Sequence, residues 1–176
     1  MPKKLEQLDV FFIEDEEIYI DTYKELLKEM GDYQFSIPVV INDEKSALVA
    51  IKKWASNPNS VPDLLFLDLI LPKTLADYKD IQNNQNPNSY VSEADNHMDT
   101  DAGIAIYDKI RGSGTKSKKH PELCLLPIII LTADYRLAPS TRANMLDDEY
   151  LLWIDKPFLP EDKAGKVSEF LRKLKG

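Results

Sequence analysis

The sequence predicts a doubly wound α/β fold built on a five-stranded parallel sheet. Two observations and their consequence carry this. Short apolar runs rich in Val, Ile, Leu and Phe recur five times with no helical stripe in them, as strands buried on both faces do. Between them lie segments whose apolar residues return at the i, i+3, i+4 spacing of a helix with one buried face. Strand and helix therefore alternate, an order that implies parallel strands, right-handed crossovers and helices on both faces.

The first run, Leu8 to Ile13, ends in Glu14-Asp15-Glu16-Glu17. A helix follows, with Tyr19, Tyr23, Leu26, Leu27 and Met30 on one face and Gly31 as its stop. Phe35 to Ile41 is the second strand. Asn42 or Asp43 can cap the next helix, whose stripe is Ala47, Leu48, Ile51, Trp54 and Ala55 and which Asn57-Pro58-Asn59 breaks. The central strand, entered from Pro62, ends at Asp68. Residues 73–101 are polar and without period, and read as one long loop with a helical turn near Thr74 to Ile81. Gly103 to Arg111 is a helix ended by Gly112-Ser113-Gly114, and Thr115 to Pro121 is a polar, basic loop. Leu125 to Leu131 is the fourth strand, before Thr132-Ala133-Asp134. Pro139 to Met145 is a helix, and Tyr150 to Asp155 the fifth strand, closing in Lys156-Pro157-Phe158. Val167, Phe170, Leu171 and Leu174 mark the last helix.

The composition sets bounds on function. The 176 residues have the size of a single domain, 1–176. A net charge of −8 argues against nucleic acid and anionic membrane as partners, since both want a basic face. The lone cysteine, Cys124, excludes an internal disulfide, and its apolar setting reads as core. His97, His120 and the basic run from Lys116 fall in loops and read as solvated. With no signal peptide and no apolar run near the length of a span, the expected location is the cytoplasm.

Asp68 is the residue that needs explaining. An ionised carboxylate inside an apolar run costs several kcal/mol or more unless it is paired or solvated. At the carboxyl end of a parallel strand it opens instead onto the crevice where such sheets bind ligands, outside the first and third strands where the order reverses. Glu14 and Asp15 stand at the other of those two ends. Three carboxylates in one crevice repel each other, and a divalent cation removes the conflict. Mg²⁺ takes oxygen ligands and is commonly held by one or two carboxylates plus phosphate. The hydroxyl of Thr132 and the ammonium of Lys156, at the ends of the fourth and fifth strands, suit phosphoryl oxygens. Together these groups form an inventory for phosphoryl transfer to an aspartate.

With these residues in place, the chain resembles a receiver domain of a two-component response regulator, of the stand-alone, chemotaxis-regulator-like kind. The likeness rests on five features in order: the acidic pair Glu14-Asp15, Asp68-x-x-x-Pro72, Gly103, Thr132-Ala133 and Lys156-Pro157-Phe158. It implies a flavodoxin-like receiver fold with strand order 2-1-3-4-5. It implies Asp68 as phosphoacceptor, with Asp15, Asp68, the backbone carbonyl of Ile70 and, through water, Glu14 holding Mg²⁺. Lys156 would pair with Asp68 or its phosphoryl group, before a Lys156-Pro157 bond that is cis in the family. Thr132 would sense the phosphoryl oxygen together with Trp153, which stands where the family usually has Tyr, Phe or His. The implied phosphoryl donor is a histidine kinase or phosphotransfer protein, and the output a downstream protein target.

The main departure from the family is the 73–101 insertion, expected on the face of Asp68 as a partner-recognition element or partial lid. Three other functions compete. A pseudo-receiver would bind partners without phosphorylation. A haloacid-dehalogenase-like phosphatase wants a second acid two residues after its nucleophile, where this chain has Ile70. A flavodoxin wants a phosphate cradle after the first strand, where this chain has acids of the wrong sign.

Overall fold

Residues 6–36, 38–76, 98–99, 102–112, 121–132 and 139–175 are described in a computed structural model of the chain. The strands are β1 (Glu6–Leu8), β2 (Val10–Ile13), β3 (Tyr33–Phe35), β4 (Val39–Ile41), β5 (Leu64–Leu67), β6 (Leu71–Pro72), β7 (Met98–Asp99), β8 (Ile128–Thr132) and β9 (Leu151–Asp155). The helices are α1 (Glu17–Glu29), α2 (Glu44–Ser56), α3 (Ala102–Arg111), the short α4 (Pro121–Cys124), α5 (Pro139–Leu146) and α6 (Pro160–Lys175). The main sheet has five parallel strands in the order β4-β2-β5-β8-β9, the predicted 2-1-3-4-5.

Strand alternation divides the core in two. Ile13, Leu65, Leu67, Ile128 and Ile130 face α2 and α3, where Ala47, Ile51, Trp54, Ile106 and Ile110 meet them. Val10, Phe12, Leu64, Phe66, Ile129, Leu131 and Ile154 face α1 and α6, against Tyr23, Leu26, Val167 and Leu171. All four β5 residues are buried, which is why this central strand has no polar alternation. Each such side chain contributes about 1.5–3 kcal/mol by leaving water. Asp43, the second of the two predicted caps, accepts a hydrogen bond from Ser46 N at 2.9 Å and starts α2.

Several boundaries differ from the expected ones, and the backbone explains each. The second strand is interrupted between Phe35 and Val39, around Pro38, which has no N–H for a ladder. The first strand breaks at Asp9, whose N–H goes to Asp63 Oδ2 (2.8 Å) and whose carbonyl accepts from Asp63 N and Leu64 N. β1 and β3 consequently form a separate parallel pair below the main sheet. The fourth strand starts at Ile128, because Leu125 and Leu126 follow α4 and Pro127 cannot donate.

The stretch read as one loop has paired ends. β6 and β7 run antiparallel, with Leu71 opposite Asp99 and Pro72 opposite Met98. Leu75 and Ala76 are helical, within the predicted turn, and Lys73 O accepts from Lys45 N at the start of α2 (3.2 Å). Most of the expected insertion, like Ala133 and the basic loop from Thr115, lies outside the described residues.

Candidate functional site

Sheet register alone brings the first two site residues together. Ile13 pairs with Leu67, and Asp68 N donates to Ile13 O (2.9 Å), so Glu14 and Asp68 leave adjacent strands at one level. Adjacent strands lie about 4.8 Å apart, which puts the two carboxylates within mutual reach. On the other side Thr132 ends β8 opposite Asp155, and its carbonyl accepts from Lys156 N at 3.0 Å. Thr132 and Lys156 are therefore carried to the same rim by the β8–β9 ladder.

Lys156 closes the cluster. Its ammonium donates to Asp68 Oδ2 and to Glu14 Oε2, each at 2.7 Å, and lies 3.9 Å from the centre of the Tyr19 ring. The bond to Pro157 is cis. Lys156 is only 3% exposed, Glu14 fully buried, Asp15 and Asp68 nearly so. Asp68 Oδ1 accepts from Leu69 N at 2.6 Å and, at a longer 3.4 Å, from Ile70 N, so the turn after β5 orients the carboxylate. Glu14 Oε1 accepts from Glu16 N (3.1 Å), Glu14 Oε2 from the Tyr23 hydroxyl (2.5 Å), and Glu14 O from Asn42 Nδ2 (3.0 Å).

The electrostatics are those of too many acids in too little water. Burial, then the charge of Asp68, pushes the Glu14 carboxyl up from 4.5 to about 7 despite Lys156. The same two causes raise Asp15 from 3.8 to about 7. Burial pulls the Lys156 ammonium down, but Asp68 and Glu14 outweigh it and the net shift is upward. Burial and the neighbouring Glu14 push the Tyr23 phenol far up, which leaves it a pure donor.

Carboxylate oxygens of Glu14, Glu16 and Asp68 lie within 4.8 Å of one another, a grouping that can hold a metal ion. This hard-oxygen donor set fits Mg²⁺ or Mn²⁺. Asp15, expected as a direct ligand, stands outside this tightest group yet is close enough to feel Asp68. The exposed Glu16 takes a place in it that the sequence reading did not assign, although the run Glu14 to Glu17 was the signal. Tyr23 was also missed, since within an α1 stripe it reads as apolar core.

Gly103 belongs to the site's frame. Its N–H donates to Leu69 O (3.0 Å), and a Cβ there would sit 2.3 Å from Asp68 O and 2.4 Å from Leu69 Cα. Only glycine lets the start of α3 approach the Asp68 turn so closely. Trp153 is buried on the α3 side of the sheet. Its indole N–H donates to Asp155 Oδ1 (2.9 Å), and the Arg142 guanidinium lies 4.6 Å from the ring centre and 3.0 Å from the same Asp155 oxygen.

No protein-family model matches the chain, and no curated protein matches it in sequence. Solved structures do match in shape. One is the signal receiver domain of a modulated diguanylate cyclase from Desulfovibrio desulfuricans, with 16% identity over 97% of this chain and 98% of that one and a TM-score of 0.57. Another is the receiver domain of a signal transduction histidine kinase from Syntrophus aciditrophicus, with 21% identity, coverage of 96% and 92%, and a TM-score of 0.55. A third is the Mn²⁺-bound form of the response regulator Rcp1, with 18% identity, coverage of 92% and 90%, and a TM-score of 0.51. Strand order, strand-end acids and these likenesses agree: the fold of this chain is that of a response regulator receiver domain.

Proposed function

We propose that the chain is a phosphorylation-controlled signalling switch in which Asp68 accepts a phosphoryl group from the phosphohistidine of a histidine kinase or phosphotransfer protein. The observation that carries this reading is the buried Lys156 bridging Asp68 and Glu14 at 2.7 Å each, at the carboxyl ends of parallel strands. An Asp68 oxygen forms the new bond to phosphorus as the donor's P–N bond breaks and the imidazole takes a proton. Lys156 holds the acceptor carboxylate and meets the charge of the incoming group. Thr132, at the same rim, donates to a phosphoryl oxygen. Glu14, Asp15, Glu16, Asp68 and the carbonyl of Ile70 are the groups available to hold Mg²⁺, which when bound neutralises the acids and the transferring phosphoryl group.

The chain acts in this reading through a downstream protein partner rather than by turning over a substrate of its own. A phosphatase of the haloacid-dehalogenase type lacks support, because the residue two after Asp68 is the half-buried Ile70. A pseudo-receiver is favoured by one observation, the hold of Arg142 and Asp155 on Trp153, which opposes movement of the switch aromatic.

Incubation with Mg²⁺ and a small acyl phosphate, followed by intact mass, tests the proposal. The expected result is a gain of one phosphoryl group that Asp68→Asn abolishes. Bound Mg²⁺ with no mass gain would favour the pseudo-receiver.

A further inference from the structure

Tyr23 is 1% exposed and sits in the aromatic heart of the α1 face. Its ring stacks on Phe66 (centroids 5.5 Å apart) and Phe158 (6.3 Å), and Phe12 meets it edge-on at 5.5 Å. A phenylalanine would make every one of these contacts. Among the described residues the hydroxyl adds a single interaction, the 2.5 Å bond to Glu14 Oε2. A buried phenol must find such a partner, but this one has found an acid of the site.

The consequence for Glu14 follows from counting its acceptor positions. A carboxylate has about four, two on each oxygen. Oε2 takes the Tyr23 hydroxyl and the Lys156 ammonium and is saturated. Among the described residues, Oε1 takes only Glu16 N–H. The lone pair left for a cation is therefore on Oε1, and it points where Oε2 is pinned. Glutamate has one more torsion than aspartate, and Lys156, the other anchor on Oε2, is shared with Asp68, so without the Tyr23 hydroxyl that direction is held less firmly.

We propose that Tyr23 is a positioning residue: its hydroxyl anchors Oε2 of Glu14 and so presents Oε1 to the divalent cation shared with Glu16 and Asp68. The inference rests on the reading that this pocket takes a cation. Outer-shell partners that orient metal-ligating carboxylates are commonly worth about 10–100-fold in metal affinity. The ring of Tyr23 belongs to the core, while its hydroxyl serves the site.

The test is Mn²⁺ binding by the full chain, followed through the electron paramagnetic resonance of free Mn²⁺ well below the melting temperature. Four proteins are compared: wild type, Tyr23→Phe, Glu14→Asp and the double variant. Tyr23→Phe keeps the ring contacts and so the fold, and is expected to weaken Mn²⁺ about tenfold. In the Glu14→Asp background, where the shorter side chain falls away from the hydroxyl, Tyr23→Phe is expected to change the affinity by less than about twofold. A hydroxyl with a merely structural role would lower the melting temperature of Tyr23→Phe and leave its Mn²⁺ affinity at the wild-type value. That outcome overturns the proposal, as does an equal loss in both backgrounds. If wild type itself binds no Mn²⁺, the cation reading falls and this proposal with it.

Discussion

Two ionic clusters, one part-buried and one buried, stand at opposite ends of this sheet, and they are built to different rules. At the amino ends of the strands, Arg111 Nε meets Asp148 Oδ2 at 2.5 Å, with both side chains about one-seventh exposed. Arg111 spends its other donors on the carbonyls of Leu123 (3.3 Å) and Tyr150 (3.1 Å). Asp148 takes the Tyr107 hydroxyl (3.0 Å) and Tyr150 N (2.9 Å) besides. The Tyr107 phenol, buried beside Asp148, is pushed up to about 12 and stays a donor. One cation meets one anion there, and the backbone satisfies the remainder. At the carboxyl ends, among the described residues, one ammonium faces Glu14, Asp15, Glu16 and Asp68. A balanced cluster is architecture, tying α3 to the turn before β9. An unbalanced one is held in excess negative charge by the fold and is relieved by a cation or a proton.

The helix α3 joins the two. Gly103 at its start touches the Asp68 turn, while Tyr107 and Arg111 further along hold Asp148. Both ends can be broken separately. The largest effect is expected at the balanced cluster: Asp148→Ala leaves the part-buried Arg111 guanidinium without its anion, at a cost toward the low end of the about 3–5 kcal/mol that breaking a buried pair brings, read in denaturant unfolding. Gly103→Ala comes next, about 3 kcal/mol, because the clashing atoms are backbone and cannot swing aside. It should also displace the Asp68 turn, so that phosphoryl uptake falls along with the unfolding midpoint. A stable Gly103→Ala protein with wild-type uptake would contradict the close approach.

The unbalanced cluster should show itself in pH. The Glu14 and Asp15 carboxyls have folded values near 7, above their ordinary values of 4.5 and 3.8. The folded state thus binds their protons more tightly than the unfolded chain, and this stabilisation is complete below about pH 4. It is lost as pH rises through about 7, where the acids ionise in the fold. Metal-free protein is expected to melt at lower temperature at pH 8 than at pH 5. Mg²⁺ should reverse that slope, since it binds the ionised acids. Asp68→Asn, which removes one of the repelling charges, should flatten the metal-free slope, whereas no change would argue that the excess charge is not felt. The smallest effect belongs to the surface hold on Trp153. Arg142→Ala should cost less than about 1 kcal/mol, because the guanidinium and Asp155 are largely in water. In a Trp54→Phe background it should nonetheless alter the Trp153 emission, and add to any response of that emission to phosphorylation.

Much of this was legible in the chain itself. Strand period and strand-end chemistry place Glu14, Asp15, Asp68, Thr132 and Lys156 at one rim, since parallel strands bring their carboxyl ends together whatever their sequence separation. Gly103 could be named but not explained until the distance to Asp68 O was known. The breaks at Pro38 and Pro127 carried a readable signal in the missing N–H, overridden in the reading by the apolar runs around them. The break at Asp9 carried none, because its cause is the Asp63 carboxylate 54 residues away.

Two kinds of information in this protein therefore have different origins. Local sequence determined the alternation of strand and helix, the cap at Asp43, and which side chains end each strand. These depend on period, propensity and the nearest few residues. Only the tertiary structure decided that Lys156 bridges Asp68 and Glu14, that Glu16 joins the acids while Tyr23 turns its hydroxyl to them, and that Arg111 finds Asp148. The reason is that a hydrogen bond or an ion pair is fixed by ångström distances between distant segments, and an apolar stripe reads the same whether or not its tyrosine has something to hold.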